Sequence, residues 1–176
     1  TVTGLDTAKK KVILEDGGEV PYDKLLIATG AESFIPPVGN LREAANVFGL
    51  RHLHDAEAID KMAESAEQIV IIGSGLVGLD AAYGLMETGK KVSIVEMADQ
   101  ILPIQLDKTG ALEYQKRFEA ADASFYLGRK AAETKMDENG RITEVILDNG
   151  ESLPCDMVIV AAGVRRIEAL TGPGVF

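Results

Sequence analysis

The stretch IVIIGSGLVGLDAAYGLMETGKKVSIVE, from Ile69 to Glu96, restricts the fold more than any other part of this chain. Residues 69–72 form a continuous β-branched run, the pattern of a parallel strand covered on both faces. Leu79, Ala82, Tyr83 and Met86 then recur at helical spacing, and Gly89 stands where a C-terminal cap belongs. Residues 91–96 return to strand alternation, so the unit reads as strand, glycine turn, helix, strand. This is a βαβ unit, which needs a parallel sheet around it.

Gly73, Gly75 and Gly78 sit between the first strand and the helix, and each costs backbone entropy relative to alanine. Three physical demands would explain them together: a tight turn at the first, close approach of a diphosphate to the backbone at the second, and close helix–strand packing at the third. The helix end just beyond offers unpaired N–H groups and a partial positive charge to an anion. Glu96 closes the second strand, roughly 20 residues past the glycines, where a carboxylate can accept hydrogen bonds from an adenosine ribose. The pattern predicts a bound dinucleotide. The negative charge of Glu96 opposes a 2′-phosphate and favours NAD(H) over NADP(H).

Eighteen Lys and Arg against 28 Asp and Glu leave a net charge of −10, which argues against nucleic acid or an anionic membrane as partner. A bound anion therefore needs local donors. No apolar run approaches the roughly 20 residues that span a bilayer, and no charged-then-apolar leader opens the sequence, so the expectation is a soluble protein. The single cysteine, Cys155, allows no internal disulfide and no multi-cysteine metal cluster, and points to a reducing, cytoplasmic setting.

The flanks add organisation. Residues 11–14, a turn at Asp16-Gly17-Gly18 and residues 19–22 give a hairpin signal, with a third strand expected at 24–28. Such a meander cannot bury an apolar face alone, so this end reads as part of a larger unit. Pro36, Pro37 and Gly39 mark a connector, with a boundary in residues 31–45. A short strand near Val47 and a helix from about Asp55 follow; His52 and His54 at its entry have no third donor beside them and carry no assigned chemistry. Asp107 caps a further helix in which Ala111, Tyr114, Phe118 and Ala121 keep helical spacing. Residues 124–127 form another strand, residues 131–136 and 142–147 flank DENG as a hairpin, and residues 157–161 rejoin the parallel sheet. Cys155 has no visible basic partner to lower its pKa and reads as structural.

Five segments in order, YDKLLIATGA (22–31), LRHLHDAEAI (50–59), IVIIGSGLVGLDAA (69–82), VSIVEMADQILP (92–103) and CDMVIVAAGVRR (155–166), resemble the middle of flavin-dependent pyridine nucleotide-disulfide oxidoreductases. The resemblance is to NADH oxidases, rubredoxin or ferredoxin reductases and the flavoprotein part of nitrite reductases. It implies an α/β fold: a three-layer, Rossmann-like NAD-binding domain at 35–162, with a parallel sheet and an antiparallel β-meander. Residues 1–34 would be the remnant of an FAD domain, and 163–176 a return segment toward it. By the same resemblance, Gly73, Gly75 and Gly78 with the backbone of Leu76 and Val77 hold the NADH diphosphate. Glu96 and Met97 hold the adenosine ribose, Ala162 and Gly163 admit the nicotinamide end, and Ala28, Thr29 and Gly30 lie near the flavin nucleotide. Asp80 stands where such proteins often carry a glutamate directed at nicotinamide and flavin. It is one methylene shorter, and its alternative reading is a first-turn acid favourable to the helix dipole.

A glycine turn for flavin and a later flavin-binding segment do not occur within residues 1–176, so the expectation is NADH binding without a complete flavin site and without a general acid or nucleophile of the chain's own. FAD would be held with segments outside this sequence, and the electron acceptor is open. Two other readings share the βαβ unit: a non-catalytic NADH-binding module, and a methyltransferase. The second explains neither IATGA nor VAAGVRR.

Overall fold

The computed structural model describes residues 1–166; of the return segment expected at 163–176, residues 167–176 lie outside the described residues. The elements run β1 (Val2–Asp6), β2 (Lys11–Leu14), β3 (Glu19–Pro21), β4 (Ala31–Ser33), β5 (Val47–Gly49), α1 (Leu53–Ala63), β6 (Gln68–Ile72), α2 (Leu76–Glu87), β7 (Lys91–Glu96), α3 (Lys108–Glu119), β8 (Ser124–Leu127), β9 (Ala131–Met136), β10 (Ile142–Leu147), β11 (Ser152–Pro154), β12 (Met157–Val160) and β13 (Val164–Arg166). Two compact units form: Thr1–Glu32 with the described residues from Val164, and Ser33–Gly163.

In the larger unit a five-stranded sheet has the order β5-β12-β6-β7-β8, parallel throughout. Strand alternation sends Ile69, Ile71, Ile94 and Ile159 to one face, where Ile59 and Ala63 of α1, Leu79 and Ala82 of α2 and Ala111 and Phe118 of α3 cover them. Val70, Val95, Val158 and Val160 point the other way, onto Ile142, Val145, Leu147 and Leu153 of the antiparallel sheet β11-β10-β9. The result is the expected three-layer α/β arrangement: helices, parallel sheet, antiparallel sheet. Burial on both faces is why β6 and β12 are apolar at every central position. Asn46, fully buried, ties the layers: its Nδ2 donates to Ile142 O and Asp156 O, both at 2.8 Å, and its Oδ1 accepts from Ile142 N at 2.7 Å.

The helix ends follow their chemistry. Asp107 accepts from Gly110 N at 2.8 Å and caps α3. Gly89, at φ 80°, closes α2: its N–H bonds Met86 O at 2.8 Å and the N–H of Lys90 bonds Leu85 O at 3.2 Å, the paired bonds of a Schellman cap. α1 starts at Leu53 rather than near Asp55, because Asp55 is the third residue of the first turn and reaches back to accept from His52 N at 2.8 Å. His52 and His54 stack at 5.3 Å on the exposed side of this entry.

Three expectations need correction. Residues 24–28 are not a strand; the third strand of the meander is β1, and the sheet order is β1-β2-β3. A strand exists only against a partner ladder, and Leu26 stands 88% exposed beside no such partner among the described residues. Tyr83 is 60% exposed, because the buried side of α2 is Gly78, Leu79, Ala82 and Leu85 and the next residue after Ala82 turns 100° away from it. Ala121 lies past the end of α3, where the chain leaves the helix and Asp122 takes φ 72°.

Cys155 is buried just before β12. Removal from water, then the negative charges of Asp156 and Glu144, push its thiol up from an ordinary value of 9.0 to about 12. The sign follows from linkage: below pH 9 the thiol is protonated in both folded and unfolded chains and its contribution is complete. Above it only the unfolded chain releases the proton, so this contribution is lost as pH rises from 9 toward 12, by roughly 1.4 kcal/mol per unit. Two results are expected: no alkylation of the native chain by iodoacetamide at pH 8, with full alkylation in urea, and a smaller drop in melting temperature between pH 9 and 11 for Cys155→Ala than for the parent.

Candidate functional site

The carboxyl ends of β6, β7 and β12 meet at the glycine turn. Ile72 O accepts from Ala161 N at 2.8 Å, and Gly73 N donates to Val95 O at 2.8 Å, so the turn is bolted to both neighbouring strands. Each glycine answers a different constraint. A Cβ on Gly73, whose φ is 108°, would lie 2.5 Å from Ala161 O; a Cβ on Gly78 would lie 2.1 Å from Gly73 O. These two exist because backbone crosses backbone. At Gly75 the backbone is an ordinary extended one, φ −71° and ψ 178°, and a Cβ would meet nothing within 4 Å. Its missing side chain leaves space.

That space belongs to a crevice of about 510 Å3. Among the residues expected to hold a dinucleotide, Gly73, Gly75, Glu96, Met97, Ala162 and Gly163 line it together. Gly75 is also the N-cap of α2, and no side chain caps this helix. The N–H groups of Leu76, Val77 and Gly78 occupy its first turn, where helix geometry supplies no acceptor. The side chains of Leu76 and Val77 point outward and are exposed.

Glu96 lines the crevice but is already engaged. Its Oε2 accepts from both Ser74 N and Ser74 Oγ at 2.8 Å, and its Oε1 accepts from Ala98 N at 2.9 Å. Three donors hold the carboxylate at the end of β7.

Asp80 is elsewhere. It is exposed, in the second turn of α2, and lines a separate hollow of about 590 Å3 with Asp60 of α1 and Glu64, the residue that caps the end of α1. The reading of it as a first-turn acid fails, since α2 starts at Leu76. Ala28 and Thr29 line an apolar hollow of the smaller unit with Val2, Val12 and Leu25. Gly30 follows them at φ 83°.

Sequence reasoning missed part of the wall. Arg129 and Lys130 line the crevice, the backbone N–H of Arg129 bonding Glu96 O at 3.0 Å. They supply positive charge in the wall that also holds Glu96, in a chain of net charge −10. Their signal was available: they lie just past β8, at the carboxyl ends of the parallel strands where open α/β sheets bind ligands. Pro103, Ile104 and Gln105 line it too, brought in from the segment before α3.

The chain is 33% identical over 180 residues to the assimilatory nitrate reductase electron transfer subunit of Bacillus subtilis, covering 99% of this chain and 22% of that protein. It is 36% identical over 171 residues to an NADH oxidase of Methanocaldococcus jannaschii, covering 94% and 37% respectively. A ferredoxin reductase from Rhodopseudomonas palustris superposes with a TM-score of 0.83 at 29% identity, over 93% of this chain and 40% of that one. The chain thus spans less than half the length of the curated relatives it matches. The family described as pyridine nucleotide-disulphide oxidoreductase matches residues 1–173, almost the whole sequence, and the chain belongs to that family.

Proposed function

We propose that this chain is the NAD(H)-binding part of a flavin-dependent oxidoreductase. In this reading residues 35–162 bind the dinucleotide, while residues 1–34 and 163–176 belong to the flavin-binding part. The observation that carries it is Gly75: its absent Cβ opens the crevice at the one place where the first-turn N–H groups of α2, with no side-chain cap, can face a diphosphate. Gly73 and Gly78 hold that turn rigid. Glu96 presents a fixed carboxylate to the adenosine ribose, with Met97 beside it, and the small residues Ala162 and Gly163 leave room at the nicotinamide end. Ala28, Thr29 and Gly30 lie toward the flavin nucleotide. Bound NADH supplies a hydride for FAD, from which electrons pass to an acceptor. The protein's own part is to hold, orient and select; no side chain of these segments is assigned a proton-transfer step.

The test is calorimetric titration with NADH and NADPH of the parent chain and of Glu96→Arg. NADH is expected to bind about tenfold more tightly than NADPH, or 1.4 kcal/mol, and the preference is expected to invert in the variant. Absence of NADH binding to the parent, with its circular dichroism native, overturns the reading; equal affinities for the two nucleotides overturn the ribose assignment.

A further inference from the structure

Among the described residues three polar side chains are fully or almost fully buried: Asn46, Ser74 and Thr134. Two of them serve the backbone alone. Asn46 bonds the main chain at Ile142 and Asp156, and Thr134 Oγ1 accepts from Asn40 N at 2.9 Å. Ser74 differs. It is 0% exposed, lies between the first two glycines of the turn, and its hydroxyl donates to Glu96 Oε2, a side chain in the crevice wall.

A buried hydroxyl is costly unless bonded, and this one has a single proton to give. An ionised carboxylate has about four acceptor positions. Ser74 takes two through N–H and O–H, both on Oε2, and Ala98 N takes one on Oε1. What remains for a ligand is one position, on Oε1. The hydroxyl bond also pins the carboxylate through Oε2 while Ala98 N holds Oε1, which restrains it from rotating out of the way of a bulkier or charged group.

We infer that Ser74 is the positioning residue that makes Glu96 discriminate: by fixing the carboxylate, its hydroxyl turns a flexible acid into an immobile negative charge that accepts one ribose hydroxyl and rejects a phosphate ester there. This rests on the dinucleotide reading of the crevice. Without the hydroxyl, Oε2 keeps only the backbone bond, the carboxylate gains freedom to swing aside, and the barrier to a 2′-phosphate falls while ribose recognition weakens.

The experiment measures dissociation constants for NADH and NADPH in the parent chain, Ser74→Ala, Glu96→Gln and the double variant, with melting temperatures as controls. The expected result for Ser74→Ala is an NADH constant raised about fivefold and an NADH/NADPH preference narrowed three- to tenfold. In the Glu96→Gln background the same change is expected to leave the preference unaltered, because there is no fixed charge left to position. A parallel loss of both affinities, with the ratio kept, overturns the inference in favour of a purely structural serine. So does an equal shift of the ratio in both backgrounds. Failure of the parent to bind NADH sinks the underlying reading instead, and Ser74→Cys, which retains a weak donor of similar size, separates loss of the bond from loss of fold by recovering part of the preference.

Discussion

Gly75→Val is expected to leave the fold unchanged and weaken NADH binding by at least about 100-fold, near 2.7 kcal/mol. Nothing in the protein opposes the new side chain: φ and ψ at this residue are those of ordinary extended backbone, and its Cβ projects into open space. The space is the crevice itself, at the mouth of α2, and an isopropyl group there would occupy the volume through which a diphosphate reaches the first-turn N–H groups. Calorimetry with NADH reads the loss, and a thermal melt reads the fold. A variant that binds NADH within threefold of the parent would place the diphosphate somewhere else.

Gly73→Ala is expected to do the reverse, damaging the fold first. Its φ of 108° is a region that L side chains rarely adopt, and the methyl group would stand 2.5 Å from Ala161 O and 2.8 Å from Ala161 C, both rigid backbone at the end of β12. Strain of about 1–3 kcal/mol and overpacking of about 1–3 kcal/mol act together. A loss of roughly 2–6 kcal/mol follows, a large part of the roughly 5–15 kcal/mol typical of a domain. The melting temperature should fall by about 5–15 °C. An unchanged melt would mean that β6 and β12 can separate at no cost. Two glycines two residues apart in one motif thus report on different properties, one on ligand volume and the other on backbone crossing.

Much of this was legible in the residues. The unit β6-α2-β7 was visible because three signals coincide there: strand alternation, helical recurrence and glycines at fixed intervals. The antiparallel β9-β10 pair was visible from its turn, where Asp137 Oδ1 accepts from Asn139 N and Arg141 N at 2.9 Å. Residues 24–28 were misread because the apolar run Leu25-Leu26-Ile27-Ala28 reports on a segment's willingness to pair, and pairing depends on a neighbour that composition does not contain. Tyr83 was misread because a spacing of three and four residues is shared by a helix face and by its edge. The bond from Ser74 to Glu96 crosses 22 residues of sequence and has no local signature at all; only the parallel register of β6 and β7, Ile72 opposite Val95, brings the two together. Arg129 entered the wall by the same route, through β8 lying beside β7.

The order of strands also bears on how the polypeptide is made. β12 is the fifth of its sheet to be synthesised, yet it occupies the second place across it, between β5 and β6. Until Met157 has emerged from the ribosome, β6 shows a bare hydrogen-bonding edge and β5 has no partner in the sheet at all. A nascent or prematurely terminated polypeptide therefore carries an apolar template for pairing with other chains, and the last strand to arrive is the one that seals it.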